Sequence, residues 1–279
     1  MTVLAPHLQN DAAVIGPVAP PAVHIMSWNI RRTIAGTRKN SPDFWPTRRP
    51  LVERLLRAEA PTIIGVQEAM LRQADDLTEM LGSDYRRVGR GRRADGRGEG
   101  CPVFYDTSRV ELTAWSQFAL SPTPTVAGSR GWGNMVPRVV VQAKFRTLAG
   151  ARFGLLNVHL DHLSRRSRRR SADLLASLAQ RSPRPAIVMG DFNDVPGSAT
   201  YRALQGAGLV DTLERARERR GRDVGTYSGY KAPKANDPRI DWMLATPELQ
   251  VLVAAINSSR FEGRAPSDHE PIQSVIEIP

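Results

Sequence analysis

One motif-like habit restricts the fold of this chain more than any other feature: short, strongly apolar runs that break off in an acid, an amide or an imidazole. Asn29 follows Met26-Ser27-Trp28, and Gln67 and Glu68 follow Ile63-Ile64-Gly65-Val66. Asn157, His159, Asp161 and His162 close Phe153–Leu160, while Asp191, Asn193 and Asp194 follow Ile187-Val188-Met189-Gly190. Asp241 sits inside Arg239-Ile240-Asp241-Trp242-Met243-Leu244, and Ser267-Asp268-His269 precedes the last apolar run. Runs this short and β-branched read as buried strands. A polar group at the end of such a strand costs free energy unless it is paired or ligating. Six of them therefore predict strands that converge, ends together, on one polar site at the edge of the sheets.

Between these strands the periodicity turns helical. Leu51–Glu59, Ala69–Leu81 and Ser167–Gln180 carry apolar residues in helical spacing, with a shorter helix at Ala199–Gly206. Further strands are expected at Pro102–Tyr105, Val110–Leu120, Val136–Thr147 and Gln273–Ile278. Strands and helices alternate without a repeat or a long linker, so a single α/β (α+β) domain over 23–279 is expected. The first 22 residues, with Pro6, Pro17, Pro20 and Pro21 and no period, read as a disordered tail. Prolines interrupt the only apolar run there, which argues against a secretory leader. The expectation is a cytoplasmic, monomeric protein, with secretion left open.

Composition narrows the chemistry. Hydrophobic residues at 41% and charged residues at 24% exclude wholesale disorder. No stretch reaches the roughly 18 apolar residues of a membrane span. Cys101 is the single cysteine, so a disulfide framework and a cysteine-built zinc site are excluded and any metal must take oxygen and imidazole ligands. The net charge is +11, and of 39 basic residues only Lys39, Lys144, Lys231 and Lys234 are lysines. Arginine's planar fork suits phosphate oxygens, although a bias toward arginine codons explains the same excess. The arginines cluster at 86–97, 165–170 and 215–222. With aromatic residues at 6% and not interleaved among them, a stacking groove for single strands is disfavoured.

The strand-end motifs, taken in order, resemble the endonuclease/exonuclease/phosphatase superfamily, the group that includes DNase I-like nucleases, abasic-site endonucleases and neutral sphingomyelinases. The resemblance runs from Ser27-Trp28-Asn29 and Gly65-Val66-Gln67-Glu68 through Asn157–His162 and Gly190-Asp191-Phe192-Asn193-Asp194 to Ile240-Asp241-Trp242 and Ser267-Asp268-His269. It implies a four-layer αββα sandwich: two mostly antiparallel, DNase I-like sheets flanked by helices, with a divalent-metal phosphoesterase site at one end. Asp161 and His162, with Gly128–Trp132, Pro137-Arg138 and Gly225–Tyr230, look like a bacterial branch of metal-dependent hydrolases whose substrates are poorly defined.

The residue types suit that chemistry. A hard cation such as Mg²⁺ or Mn²⁺ prefers carboxylate and amide oxygens, which makes Glu68 the first choice as ligand with Asn29 beside it and Asp268 as a further candidate. Glu68 also sits where it can cap the following helix, and Asp268 can equally buttress His269. Asp191 and Asn193, two residues apart, can orient the attacking water and hold a phosphoryl oxygen. An Asx turn is the structural alternative for them. His159 and His269 are the imidazole candidates, and the resemblance pairs them with Glu99 and Asp241 as orienting acids. Asp161, His162 and Arg138 are expected to contact substrate.

The expected activity is metal-assisted water attack on a phosphodiester, nucleic acid being one candidate substrate. The alternatives are a phosphomonoesterase or a lipid or sugar-phosphate hydrolase of the same fold, and, less favoured, a basic module that binds polyanions without chemistry.

Overall fold

The computed structural model describes residues 13–279. In chain order it contains β1 (Val23–Asn29), α1 (Trp45–Glu59), β2 (Ile63–Gln67), α2 (Leu71–Leu81), β3 (Tyr85–Val88), β4 (Val103–Asp106), β5 (Val110–Ala119), β6 (Val139–Thr147) and β7 (Arg152–His159). Then follow α3 (Arg165–Gln180), β8 (Ala186–Asp191), α4 (Ala199–Gly206), β9 (Val210–Asp211), α5 (Thr212–Arg215), β10 (Glu218–Gly221), β11 (Asp241–Ala245), β12 (Gln250–Ile256) and β13 (Ile272–Glu277). The strands form two sheets, ordered β10-β12-β13-β1-β2-β4-β3 and β5-β6-β7-β8-β11-β9. Pairing is antiparallel except at β1·β2, β10·β12 and β7·β8.

Three apolar layers hold the sandwich. Ile25, Ile63, Phe145, Phe153, Ile187 and Met243 fill the space between the sheets. Trp28, Leu55, Leu77 and Phe104 pack α1 and α2 onto the first sheet, and Val158, Leu175, Val188 and Trp242 pack α3 and α4 onto the second. Each such side chain contributes about 1.5–3 kcal/mol on full burial. This is the four-layer architecture expected from the sequence.

Register decides where the polar ends go. His159 lies opposite Asp191, and Asp191 opposite Asp241, so the C-terminal ends of β7 and β8 and the N-terminal end of β11 form one row. Asn29 lies opposite Gln67 in the first sheet, which leaves Glu68 one residue beyond the strand end. Beneath them is a polar pin: the Gln67 amide donates to Ser27 Oγ at 3.1 Å and to Asn157 Oδ1 at 2.7 Å, and Asn157 donates to the carbonyls of Val66 and Cys101. Gln67 and Asn157 therefore tie the sheets together from inside and do not reach the site. Gly65 permits the approach, since a Cβ there would stand 2.4 Å from Met189 Cε and 2.6 Å from Asn157 Cγ.

The structure corrects several boundaries. Residues 13–22, read from sequence as part of a disordered tail, are held down: the N–H groups of Val14, Ile15 and Gly16 donate to the buried Glu59 carboxylate, and Arg109 donates to the carbonyls of Val18 and Ala22. The remainder of that expected tail lies outside the described residues. Helix α1 begins at Trp45, six residues before its expected start, because a proline in the first turn loses no helical hydrogen bond. Helix α3 begins at Arg165 because the Ser164 hydroxyl caps it by accepting from the Ser167 N–H. Strands β3, β9, β10 and β12 were not foreseen; β10 is Glu-Arg-Arg-Gly, fully exposed, and exists only by pairing with β12.

Candidate active site

At the end of the sandwich where β1, β2, β7 and β8 finish and β11 begins, Asp191 occupies the centre. Its Oδ2 accepts from the Asn29 amide at 2.9 Å and faces Nε2 of both imidazoles, His159 at 3.4 Å and His269 at 3.9 Å. Its Oδ1 accepts the Asn193 N–H at 2.9 Å. Glycine is needed just before it: Gly190 has φ +147°, and a Cβ would lie 1.9 Å from the Val158 carbonyl oxygen. The residues just past the strand ends are also held in sparsely populated backbone conformations, with φ of +53° at Arg31, +60° at Glu68 and +50° at Asn193. Such strain persists where surrounding contacts over-determine it, and it turns Glu68 and Asn193 inward.

The first sheet supplies the other wall. The Asn29 amide also donates to Glu68 Oε1 at 3.2 Å, and Glu68 Oε2 accepts the Arg32 N–H at 3.0 Å. His269 Nδ1 is 2.9 Å from Asp241 Oδ2. Asp241 is in turn positioned by Thr226, whose hydroxyl oxygen accepts the N–H groups of Ile240 and Asp241, both at 2.9 Å. The Tyr227 ring stands edge-on to the His269 ring with centroids 4.9 Å apart. Arg31 reaches Asp43 at 2.9 Å and Asp268 at 3.7 Å, and Asp43 is shared with the Tyr230 hydroxyl.

These neighbours separate the titrations. Burial and the adjacent Asp241 carboxylate push Asp191 up to about 7, against the pull of His269 and the Asn29 amide. Burial alone lowers His269, but Asp241, Asp191 and Asp268 outweigh it and raise the imidazole to about 10. His159 moves the opposite way: burial first, then the Arg138 guanidinium and the charged His269, hold it well below the ordinary histidine range. Glu68 is lowered despite its burial, because the Arg32 N–H, the Asn29 amide and Arg31 favour the carboxylate. Burial raises Asp268. At neutral pH the site therefore holds one imidazolium, His269, and one neutral imidazole, His159.

The donor set fits a hard divalent cation. Ligand atoms of Asp191, Asp241 and His269 lie within 4.8 Å of one another. Asp241 Oδ1 is buried without a hydrogen-bond partner, and the half-buried Glu68 and buried Asp268 carboxylates add to an excess of negative charge. The carboxylates are the suitable ligands, since the His269 Nδ1 is already committed to Asp241.

Eight of the residues expected at the site converge: Asn29, Glu68, His159, Asp191, Asn193, Asp241, Asp268 and His269. Some of the expected contacts do not form. Glu99 does not orient His159; its carboxylate is gripped by Arg92 through two hydrogen bonds of 2.6 and 2.9 Å and approached by Arg32 at 3.3 Å, because a guanidinium fork outcompetes a neutral imidazole for a carboxylate. Asn29 turns its amide oxygen to the Arg31 N–H, so its NH₂ separates two carboxylates and no oxygen faces an ion. Asn193 donates from its side chain to the Leu160 carbonyl at 3.1 Å, which leaves one amide hydrogen for other use. Asp268 makes no hydrogen bond to the His269 ring and sides with Arg31 and Ser267.

Asp161, His162 and Arg138 form an adjoining cluster. Asp161 Oδ1 accepts from the Leu163 and Ser164 N–H groups, Arg138 Nε is 3.4 Å from Asp161 Oδ2, and Arg138 Nη2 donates to His162 Nδ1 at 2.9 Å. Arg138 is only 4% exposed and its Nη1 has no partner. It borders, with His159, Arg92 and Glu99, a gap of about 10 Å³. Sequence reasoning missed Arg31, Thr226 and Tyr227. Thr226 and Tyr227 lie in a segment marked as distinctive, but only the fold brings them to Asp241 and His269.

A sequence profile described as the Endonuclease/Exonuclease/phosphatase family matches residues 26–269. Among solved structures, an endonuclease/exonuclease/phosphatase family protein from Bacteroides thetaiotaomicron is 28% identical with a TM-score of 0.85, covering 93% of this chain and 98% of that one. A mannosyl-6-phosphatase from the same organism is 28% identical with a TM-score of 0.83, covering 91% and 99%. The D. rerio TDP2 structure with a single-strand DNA product is 18% identical with a TM-score of 0.68, covering 92% and 99%, and shares the fold. A search of curated protein sequences finds no match.

Proposed function

The chain belongs to the endonuclease/exonuclease/phosphatase family, and from that premise we propose that it is a divalent-metal-dependent phosphoesterase acting through the site around Asp191. The observation that carries this reading is the placement of Asp191 Oδ2 between two imidazoles, neutral His159 at 3.4 Å and cationic His269 at 3.9 Å. The Asp191 carboxylate, facing the site at Oδ2, takes the proton from an attacking water there. The Asn29 amide holds that oxygen in place. His269, kept cationic by Asp241, presents its Nε2 proton to a phosphoryl oxygen and offsets the charge that builds there. Neutral His159 and the second amide hydrogen of Asn193 hydrogen-bond the phosphate without placing a further negative charge against it.

Glu68 and the carboxylates of Asp191 and Asp241, with Asp268 behind them, are the residues that would hold Mg²⁺ or Mn²⁺. Such an ion, when bound, supplies charge neutralisation at the phosphoryl oxygens and acidifies a water.

Within this activity a small phosphomonoester is the favoured substrate class. The 28% identical mannosyl-6-phosphatase supports it. A phosphodiester remains the second reading, favoured by the exposed arginines at 165, 166, 169 and 170 that open α3 just past His162. A purely binding module fits worse, since it gains nothing from so many buried charges.

A panel of sugar phosphates, nucleotides, phospholipids and nucleic acids with Mg²⁺ and with Mn²⁺ tests the proposal. Hydrolysis that EDTA abolishes supports it, and no turnover of any ester with either ion refutes it.

A further inference from the structure

Beside the Asp191 site lies a cavity of about 470 Å³ that the mechanism does not use. Its wall combines the loop between β3 and β4 with the loop between β5 and β6, and four arginines line it: Arg32, Arg92, Arg93 and Arg130. The lone carboxylate among the lining residues, Glu99, is already neutralised by its two hydrogen bonds to Arg92. Arg130 donates to the uncharged Met135 carbonyl at 3.0 Å and has no ion pair among the described residues, while the Arg32 side chain is 46% exposed. Arg93 is 3.6 Å from the exposed Asp95 carboxylate and Arg32 shares Glu99 with Arg92, so four guanidinium groups meet two carboxylates and the cavity keeps a net positive charge.

Two connections tie this cavity to the reaction centre. The Arg32 N–H donates to Glu68, while its guanidinium faces the cavity and Glu99. On the other side, Arg92 and Glu99 are shared with the small gap that touches His159 and Arg138. One molecule can thus have a phosphate at Asp191 and a second group among the arginines. The remaining wall is Met70, Ala94, Gly98, Met135, Val136 and Pro137, small, flexible or apolar and without an aromatic ring. Such a wall accepts a compact polyol or sugar and offers no platform on which to stack a base. The volume lies within the range of small-molecule pockets.

We propose that this cavity is an anion subsite, so that the substrate is a small non-aromatic phosphate ester bearing a second anionic group, phosphate or carboxylate. This rests on the phosphoesterase reading of the neighbouring site, and its test reads binding separately from turnover.

Calorimetric titration of the full chain in EDTA compares glucose 6-phosphate, glucose 1,6-bisphosphate and 6-phosphogluconate. A second charge-assisted contact predicts that at least one of the two bis-anionic probes binds about tenfold more tightly than glucose 6-phosphate. R130A, and independently R93A, should bring that preference to within about twofold while glucose 6-phosphate binding holds. Preference for the bisphosphate alone assigns the subsite to phosphate, and preference for both assigns it to anions generally. Equal affinities, no binding of any probe, or variants that weaken all three alike overturn the subsite. Both arginines are exposed, and an unchanged melting curve for each variant certifies its fold. Absence of hydrolysis in the ester panel would overturn the phosphoesterase reading alone, because the affinity ratio is measured without metal or turnover.

Discussion

The two flanks of the site are built from the same kinds of residue to opposite ends. On one flank His269 is surrounded by Asp241, Asp191 and Asp268 and is driven up to about 10. On the other His159, just as buried, is lowered by its burial, then by Arg138 and the charged His269, with Arg92 adding to them, and is driven far below the ordinary range. The two Nε2 atoms face the same Asp191 oxygen at 3.9 and 3.4 Å. The acid-rich flank is a seat for cations and the arginine-rich flank a seat for anions, with one carboxylate between them. A phosphoryl group and a divalent ion can then approach from different sides and meet at Asp191.

Removing the shared carboxylate should break the contrast most severely. Asp191→Ala, and separately His269→Ala, are expected to lose at least ~10²-fold in turnover of the best ester, measured as kcat at saturating Mn²⁺. Wild-type turnover in either variant would refute the assigned roles.

The acid-rich flank can be titrated. Because Asp191 is raised to about 7 in the metal-free protein, an incoming ion displaces a proton below that pH and none well above it. Mn²⁺ affinity should therefore rise by about fivefold between pH 6 and 7, approach about tenfold by pH 8 and level off above that. Calorimetry across that range reads this directly, and a flat profile would mean that Asp191 is not among the groups the ion deprotonates.

The arginine-rich flank has its own probe. Arg138→Gln removes the strongest charge acting on the buried His159, so the His159 imidazole should titrate at higher pH while His269 stays where it is. Histidine ring NMR resolves the two, and an unmoved His159 would show that the Arg138 guanidinium does not set its titration.

The smallest effect concerns stability. Asp191→Asn deletes a buried charge that the metal-free fold does not fully compensate, and it should raise Tm in EDTA by about 2 °C even as activity disappears. A lower Tm would show that the carboxylate stabilises the fold.

Much of this was legible in the order of residues. The ends of β1, β2, β7, β8 and β11 were visible because a polar residue terminating an apolar strand has few uses besides a site. The same pattern misled at Gln67 and Asn157, which look identical in one dimension but face between the sheets and pin them. Glu99 was misassigned because Arg92, seven positions earlier, folds back across the β3–β4 loop and takes both carboxylate oxygens. Strand β10 has no apolar residue to announce it; its backbone is ordered by β12. Residues 14–16 carry no period, and their order comes from one buried carboxylate, Glu59.

What the linear sequence determined alone is that acids, amides and imidazoles on separate strands must meet, since stranding each of them in an apolar layer is too costly. Which acid serves which imidazole, and so which of two buried histidines carries the charge, was decided only by tertiary structure. Coulomb interactions and desolvation depend on distances through space, and those distances follow from strand register and loop closure, which spacing along the chain does not encode.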